Sequence, residues 1–355
     1  MTEPTLYEEV FADIKSRLSN PKLIYTLNNE VEQFSALATG ISEIDKCLEG
    51  GFPEGRITEI SGPEASGKTT VMLHLIAAAQ TRGEVVYYID AEHALDYQYA
   101  QRIGVDLDTL LFAQPDTGEQ ALDTARIICE STMAVQEKRK QRVRTLIVVD
   151  SIPALVPAEM FEKIGKDGFE TTSGLGLTAR MLSSKLPPLV AMASKANVTV
   201  VFINQEREKI GVTYGSPITT PGGKAMKFFA SLRLRVSRIG YYDEGGQRAG
   251  IRAKLVPMKS KLFPIFNREA NFIIGPNGID IESALVETAL AQRVIKKSGA
   301  WLKFGEITAQ GHAAFAQKVR DDADLKRQLT EAVNPKPQVV LQPTNTQGPA
   351  PTGVE

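Results

Sequence analysis

Gly62-Pro63-Glu64-Ala65-Ser66-Gly67-Lys68-Thr69 is the stretch on which the fold turns. It fits G-x-x-x-x-G-K-[ST], the pattern of a loop that wraps phosphates. Glycines let the backbone curl so that N–H groups converge on an anion, and a helix starting inside the loop adds a favourable field. Lys68 offers the cation for the terminal phosphates and Thr69 the hydroxyl for a magnesium ion. Such a loop needs a strand before it and a helix after it. Residues 56–61 (RITEIS) read as a short strand and 66–80 as a helix with few polar gaps. The other reading, a plain glycine turn before a helix, leaves this placement unexplained.

Outward from the loop, residues 85–90 (VVYYID), 145–150 (TLIVVD) and 198–204 (VTVVFIN) are apolar runs of strand length, each ending in a polar residue. Continuous apolar strands separated by helices predict an α/β fold with a mostly parallel sheet covered on both faces. Ligands bind beyond the carboxyl ends of such strands, where Asp90, Asp150 and Asn204 stand. Asp150 is the second acidic group that a magnesium site needs. Glu92, just past Asp90, is placed to orient or deprotonate a water; a solvated loop glutamate is the alternative reading of the same position. Residues 231–239 and 251–258 alternate in polarity and predict an antiparallel pair.

The 355 residues are 43% hydrophobic and 23% charged, with a net charge of −1, so any nucleic-acid surface must be a local patch. The two cysteines, Cys47 and Cys129, read as reduced core thiols, although one disulfide is formally open. An acidic N-terminus without a signal-like segment, and no long apolar run, predict a cytoplasmic protein away from membranes.

Four regions follow. Residues 1–33 hold an amphipathic helix over 6–18 and a polar linker, a piece too small to fold alone. Residues 34–270 are the α/β core, and 271–333 a small α+β domain with a helix from 281 and a hairpin near 299–311. Residues 334–355 contain five prolines and are predicted to be disordered.

The segments GPEASGKTT, IDAEHALD (89–96), QPDTGEQAL (114–122), VVDSIPAL (148–155), INQ (203–205), KIG (209–211) and GGKAMKFFAS (222–231) occur in an order that resembles RecA-type recombinases, over roughly residues 35–320. The resemblance implies a RecA-type P-loop ATPase core using ATP and Mg²⁺, with Glu92 as catalytic base beside Lys68 and Gln205. ATP would meet Gly62 to Thr70 (Thr70 included), Asp150, and on the adenine side Asp96 and Tyr99, with Thr69 and Asp150 holding the metal. Gln205 would sense the γ-phosphate. Lys259 and Lys261 would reach the ATP of a neighbouring subunit, tying hydrolysis to a homo-oligomeric filament. The partners implied are single-stranded and double-stranded DNA.

DNA contacts would come from Arg180, Arg207, Lys209, Ile210, Gly211, Gly222, Gly223 and Lys227, in and around two loops near 159–176 and 206–223. No regular element fits the second loop. Seven Lys or Arg against two Glu between Glu206 and Arg238 suit a phosphate-lined channel. For Arg233, Arg235 and Arg238 a solvated basic strand face is the alternative. The run 138–144 (KRKQRVR) reads as a solvated helix end. Glu206 and Glu208 depart from the family pattern by placing acids beside the expected DNA path, and Ile274 stands where relatives carry an aromatic.

The function implied is a DNA-dependent ATPase that forms filaments on single strands for homologous pairing and strand exchange. The alternatives are a non-catalytic RecA-like modulator and a RecA-fold helicase motor, for which the N-terminal 33 residues are too few.

Overall fold

The computed structural model describes residues 5–20, 34–167, 176–208, 218–244 and 247–333. The expected linker, the C-terminal tail and Lys209, Ile210 and Gly211 lie outside these residues.

Helix α1 (Leu6–Arg17) is fixed by its first turn. The Thr5 hydroxyl accepts from the Glu8 N–H at 3.4 Å while the Glu8 carboxylate accepts from the Thr5 N–H at 2.8 Å, closing a capping box. None of its residues is buried, and Leu6, Tyr7, Val10 and Ile14 are exposed.

From Ser35 on, the chain builds a nine-stranded sheet. Its strands are β1 (Ile57–Gly62), β2 (Val85–Asp90), β3 (Leu111–Ala113), β4 (Thr145–Asp150), β5 (Val198–Gln205), β6 (Leu232–Glu244), β7 (Gln247–Ser260), β8 (Ala270–Gly275) and β9 (Gly278–Ile279). The order is β9-β8-β7-β6-β1-β5-β4-β2-β3. Pairing is parallel from β6 through β3 and antiparallel from β6 through β9. The expected parallel core and antiparallel pair are both present, and β8 and β9 extend the same sheet.

The helices before and between these strands are α2 (Ser42–Cys47), α3 (Lys68–Thr81), α4 (Tyr97–Ile103), α5 (Gly118–Arg139), α6 (Ala158–Asp167), α7 (Leu177–Ala196) and α8 (Ala225–Phe229). Ile147, Val149, Val200 and Phe202 face α5 and α7 in one core. The alternate residues Leu146, Val148, Val201 and Ile203 point to the opposite face, where α3 packs. A separate apolar cluster joins α9 (Ile281–Ala291), α10 (His312–Asp321) and α11 (Ala323–Val333) to a small sheet of β10 (Lys296–Ser298), β11 (Trp301–Phe304) and β12 (Ile307–Gln310). The hairpin expected near 299–311 is β11–β12.

Helix α3 is apolar nearly all round and is buried accordingly. Its one imidazole, His74, is locked by geometry: Nε2 accepts from the Ile279 N–H at 2.8 Å. Gly278 beside it has φ +96°, and a Cβ there would lie 2.7 Å from Nε2. Burial pushes the His74 pKa down to about 4. The folded state therefore holds His74 neutral while the unfolded chain takes up a proton near pH 6.5. Stability is full above that pH and falls as the pH drops toward 4, by about 3 kcal/mol from this residue. Denaturant titrations of the wild type and His74→Gln between pH 4 and 7 should differ by that slope, because the raised carboxyls of Asp45 and Asp150 act in the opposite sense equally in both proteins.

Candidate nucleotide and DNA site

Register places the site. In the β1–β5 ladder Gly62 pairs with Gln205, and in the β2–β4 ladder Asp90 pairs with Asp150, so four sequence-predicted positions share one edge. Between β1 and α3 the loop turns through left-handed backbone at Ala65 (φ +52°) and Gly67 (φ +96°). Gly67 is the N-cap of α3 and no side chain caps that first turn, so its N–H groups are left for a ligand. The Ser66 hydroxyl is buried with no partner. Lys68 folds back, its Nζ donating to the carbonyls of Gly62 at 3.1 Å and Pro63 at 2.7 Å. Burial lowers the Lys68 pKa, against the charges of Asp150, Glu92, Glu206 and Glu64. An unpartnered buried hydroxyl, an uncapped helix start and a half-desolvated ammonium are groups that a polyphosphate would satisfy.

Thr69 Oγ1 stands 3.3 Å from Asp150 Oδ2, so two hard oxygens meet at the strand edge, a donor set that suits Mg²⁺. Tyr88 was absent from the sequence expectations, yet its hydroxyl donates to the same Asp150 oxygen at 2.6 Å. Burial is the main cause that pushes the Asp150 pKa up to about 6, with Glu92 and Asp90 adding to it and the two hydroxyls opposing. Burial also raises the Tyr88 pKa, so its phenol stays a donor.

Glu92 is exposed, and its Oε1 accepts from the Gln205 amide at 3.2 Å and from the Ser151 hydroxyl. The structure thus joins Glu92 to Gln205, and adds Ser151, which sequence reasoning passed over. Beneath them the Asn204 amide donates to the buried Glu59 carboxylate at 2.7 Å and to the Pro221 carbonyl at 3.2 Å. Asp96 caps α4 through the Tyr99 N–H at 2.9 Å. The Tyr99 hydroxyl meets Thr70 Oγ1 at 3.0 Å, which puts the α4 side of the pocket against α3.

The DNA-side residues are only partly gathered. Arg180 is exposed in the first turn of α7, and Lys227 is exposed on α8. A Cβ at Gly223 would meet the Ala179 Cβ at 2.8 Å, so the glycine pair Gly222-Gly223 brings the end of the second loop beside Arg180. That loop is not free of regular structure at its ends. Arg207 and Glu208 pair with Thr219 and Ile218 in a short antiparallel ladder.

Of the strand arginines, two are held by carboxylates and Arg238 is exposed. Arg233 pairs with Glu59, Arg235 takes both Glu206 oxygens at 2.8 and 3.0 Å, and Arg238 lies 4.9 Å from the Tyr241 ring centroid. In the 138–144 run, Arg142 reaches buried Glu54 at 2.5 Å and Arg144 reaches it at 3.3 Å, so this end is ion-paired. Lys259 Nζ donates to the carbonyls of Lys227 and Ala230 at 2.6 and 2.9 Å, and Lys261 Nζ to that of Phe228 at 3.1 Å. Both lysines thus sit on the C-terminal end of α8. No helix among the described residues is long and apolar enough to cross a membrane.

A family model described as the RecA N-terminal domain matches residues 7–280. Protein RecA of Thermus thermophilus is 42% identical over 314 residues, which span 87% of this chain and 88% of that protein. Protein RecA of Amycolatopsis mediterranei is 41% identical over 305 residues, 85% of this chain and 83% of that one. Protein RecA of Clostridium acetobutylicum is 36% identical over 345 residues, 96% and 94% of the two chains.

Tyr88 supplies a test of the metal position. Tyr88→Phe removes one of the two hydroxyls that hold Asp150, and such supporting groups are typically worth 10–100-fold in metal affinity. Calorimetric nucleotide binding across a Mg²⁺ series should shift about tenfold toward higher Mg²⁺. An unshifted series would separate Tyr88 and Asp150 from the metal.

Proposed function

The chain belongs to the RecA family, and on that premise we propose that it is a DNA-dependent ATPase of the cytoplasm that forms helical filaments on single-stranded DNA. In recombination and repair it pairs that strand with homologous double-stranded DNA and exchanges strands. The observation that carries this reading is the 3.2 Å hydrogen bond from Gln205 Nε2 to Glu92 Oε1. It ties a carboxylate at the strand edge to the last residue of β5, and β5 runs straight into the DNA-side loop.

ATP bound with Mg²⁺ supplies the phosphoryl bond to be broken and the negative charge that the loop is shaped to receive. Gly62 to Thr70 would hold it, Lys68 would neutralise phosphate charge, and Thr69 and Asp150 would hold the metal. Glu92 takes the proton of an attacking water on its carboxylate. Ser151 and Gln205 hold that carboxylate in place through neutral donors. Because Gln205 begins the connection to Arg207, a change in the amide's partner is passed to the loop that holds DNA. Asp96 and Tyr99 border the adenine side. Arg180, Arg207, Gly222, Gly223 and Lys227, with Lys209, Ile210 and Gly211 of the same loop, bind the DNA backbone.

Lys259 and Lys261 complete the ATP site of a neighbouring subunit. In their own chain these ammoniums rest on the carbonyls that end α8, so reaching a neighbour's phosphates frees the helix next to the Gly222-Gly223 exit. Lysine, a compact cation on a flexible stem, suits such a transfer.

Turnover measured with and without single-stranded DNA tests the whole reading, and stimulation by DNA is the expected result. Glu92→Gln should keep ATP and DNA binding but lose turnover by about 10²–10⁴-fold; near wild-type hydrolysis would remove Glu92 from the chemistry. Lys259→Ala/Lys261→Ala and Lys68→Ala should each be inactive alone. Mixed on DNA they should recover part of the turnover, since some interfaces then hold one complete site. Mixtures that co-assemble yet stay inactive would rule out a shared site.

A further inference from the structure

Glu206 departs from the family pattern, and its surroundings show what the carboxylate does there. It follows Gln205 directly. Its N–H donates to the Gly62 carbonyl at 3.0 Å, the same carbonyl that accepts from Lys68 Nζ at 3.1 Å. Its side chain is only 9% exposed, and both oxygens are taken by Arg235, Oε1 by Nε at 2.8 Å and Oε2 by Nη2 at 3.0 Å. Arg235 pairs across the β1–β6 ladder with Ser61, one residue before Gly62. Residue 206 is therefore clamped twice, by its main chain to the phosphate loop and by its side chain to the neighbouring strand.

The clamp sits at the mouth of the DNA-side loop. Beyond it Arg207 and Glu208 pair with Thr219 and Ile218. Glu206 and Arg235 share a cavity of about 230 Å³ with Thr219, Thr220, Lys227 and Arg233, so the two ends of the loop meet around the pair. A bidentate guanidinium–carboxylate contact fixes orientation as well as distance. It also neutralises a carboxylate that would otherwise face DNA phosphates.

We propose that Glu206 and Arg235 are a positioning pair that holds Gln205 against Glu92 and so couples DNA occupancy of the loop to ATP hydrolysis. This rests on the reading of Gln205 given above. Neither residue touches the reacting atoms. With the clamp lost, the end of β5 is no longer anchored from the side, and Gln205 stops reporting the state of the loop to Glu92.

The test is the ratio of DNA-stimulated to basal ATP turnover in the full chain at saturating single-stranded DNA, with DNA affinity, KM for ATP and thermal midpoint measured beside it. Arg235→Met leaves a carboxylate unpaired and should lower the ratio at least tenfold through kcat, with KM within about threefold. Glu206→Leu/Arg235→Met replaces the pair by apolar side chains, a change that is often neutral for folding. It should keep the midpoint yet lose the stimulation equally. Arg235→Lys keeps the charge without the fork and should fall between. A double variant with full stimulation would overturn the proposal. So would basal and stimulated rates that fall together, or a loss that disappears once DNA affinity is corrected for. Gln205→Met tests the underlying reading on its own: full stimulation in that variant would sink the role of Gln205 whatever the pair variants show.

Discussion

The register of the parallel ladders is the constraint on which the rest depends. Gly62 lies opposite Gln205, and Asp90 opposite Asp150, only because β1, β5, β4 and β2 pair as they do. A slip of one residue would turn every side chain of the shifted strand to the other face. It would bury Tyr88 and Asp150 on opposite sides and carry Gln205 away from Glu92. Register is held by burial of both faces, since β1 and β4 are buried at every position and β5 at all but Gln205. The packing of Phe202 and Val149 against α5 and α7 thus serves the chemistry at the strand ends.

Charge is distributed around the sheet so that Glu54, Glu59 and Glu206 each have specific partners. Glu59, fully buried, is shared between Asn204 and Arg233. Glu206 holds Arg235 at the carboxyl ends of the parallel strands, while Glu54 holds Arg142 and Arg144 at the opposite, amino-terminal ends. In β6, Arg233 and Arg235 are thereby occupied by carboxylates, and Arg238 is the exposed arginine of the strand. A carboxylate buried without its cation would be strongly destabilising, so the pairs fix local geometry even where they add little net stability.

How much of this was legible in the sequence follows from how local each signal is. The phosphate loop, the strands that end in Asp90, Asp150 and Asn204, and the antiparallel pair β6–β7 are written in contiguous residues, and all stand where the pattern put them. Partnerships across the sheet are not contiguous. Tyr88 meets Asp150 and Arg233 meets Glu59 across intervals that no short motif spans, so Tyr88 reads as one more apolar strand residue and Arg233 as part of either a phosphate-lined channel or a solvated basic face. The pattern of alternation found β6 but could not say what its arginines touch. The ladder of Arg207 and Glu208 with Thr219 and Ile218 has no signature in the sequence, because two residues carry no periodicity.

The contrast between Glu92 and its neighbours is the last consequence of this arrangement. Asp150 is buried, and Glu59 and Glu206 are bound to guanidinium groups. Glu92 alone of this set is exposed, and among the described residues it is held by a hydroxyl and an amide with no ion pair. A cation in contact would stabilise the carboxylate and lower its tendency to accept a proton, while burial would deprive it of water. Neutral donors orient the group without pairing it to a cation or burying it. One of those donors, the Gln205 amide, can trade acceptors at little electrostatic cost, whereas a guanidinium would resist leaving. A carboxylate held in this way is oriented by a partner that can leave, and the fold places that partner at the exit of β5, directly before the ion pair of Glu206 with Arg235.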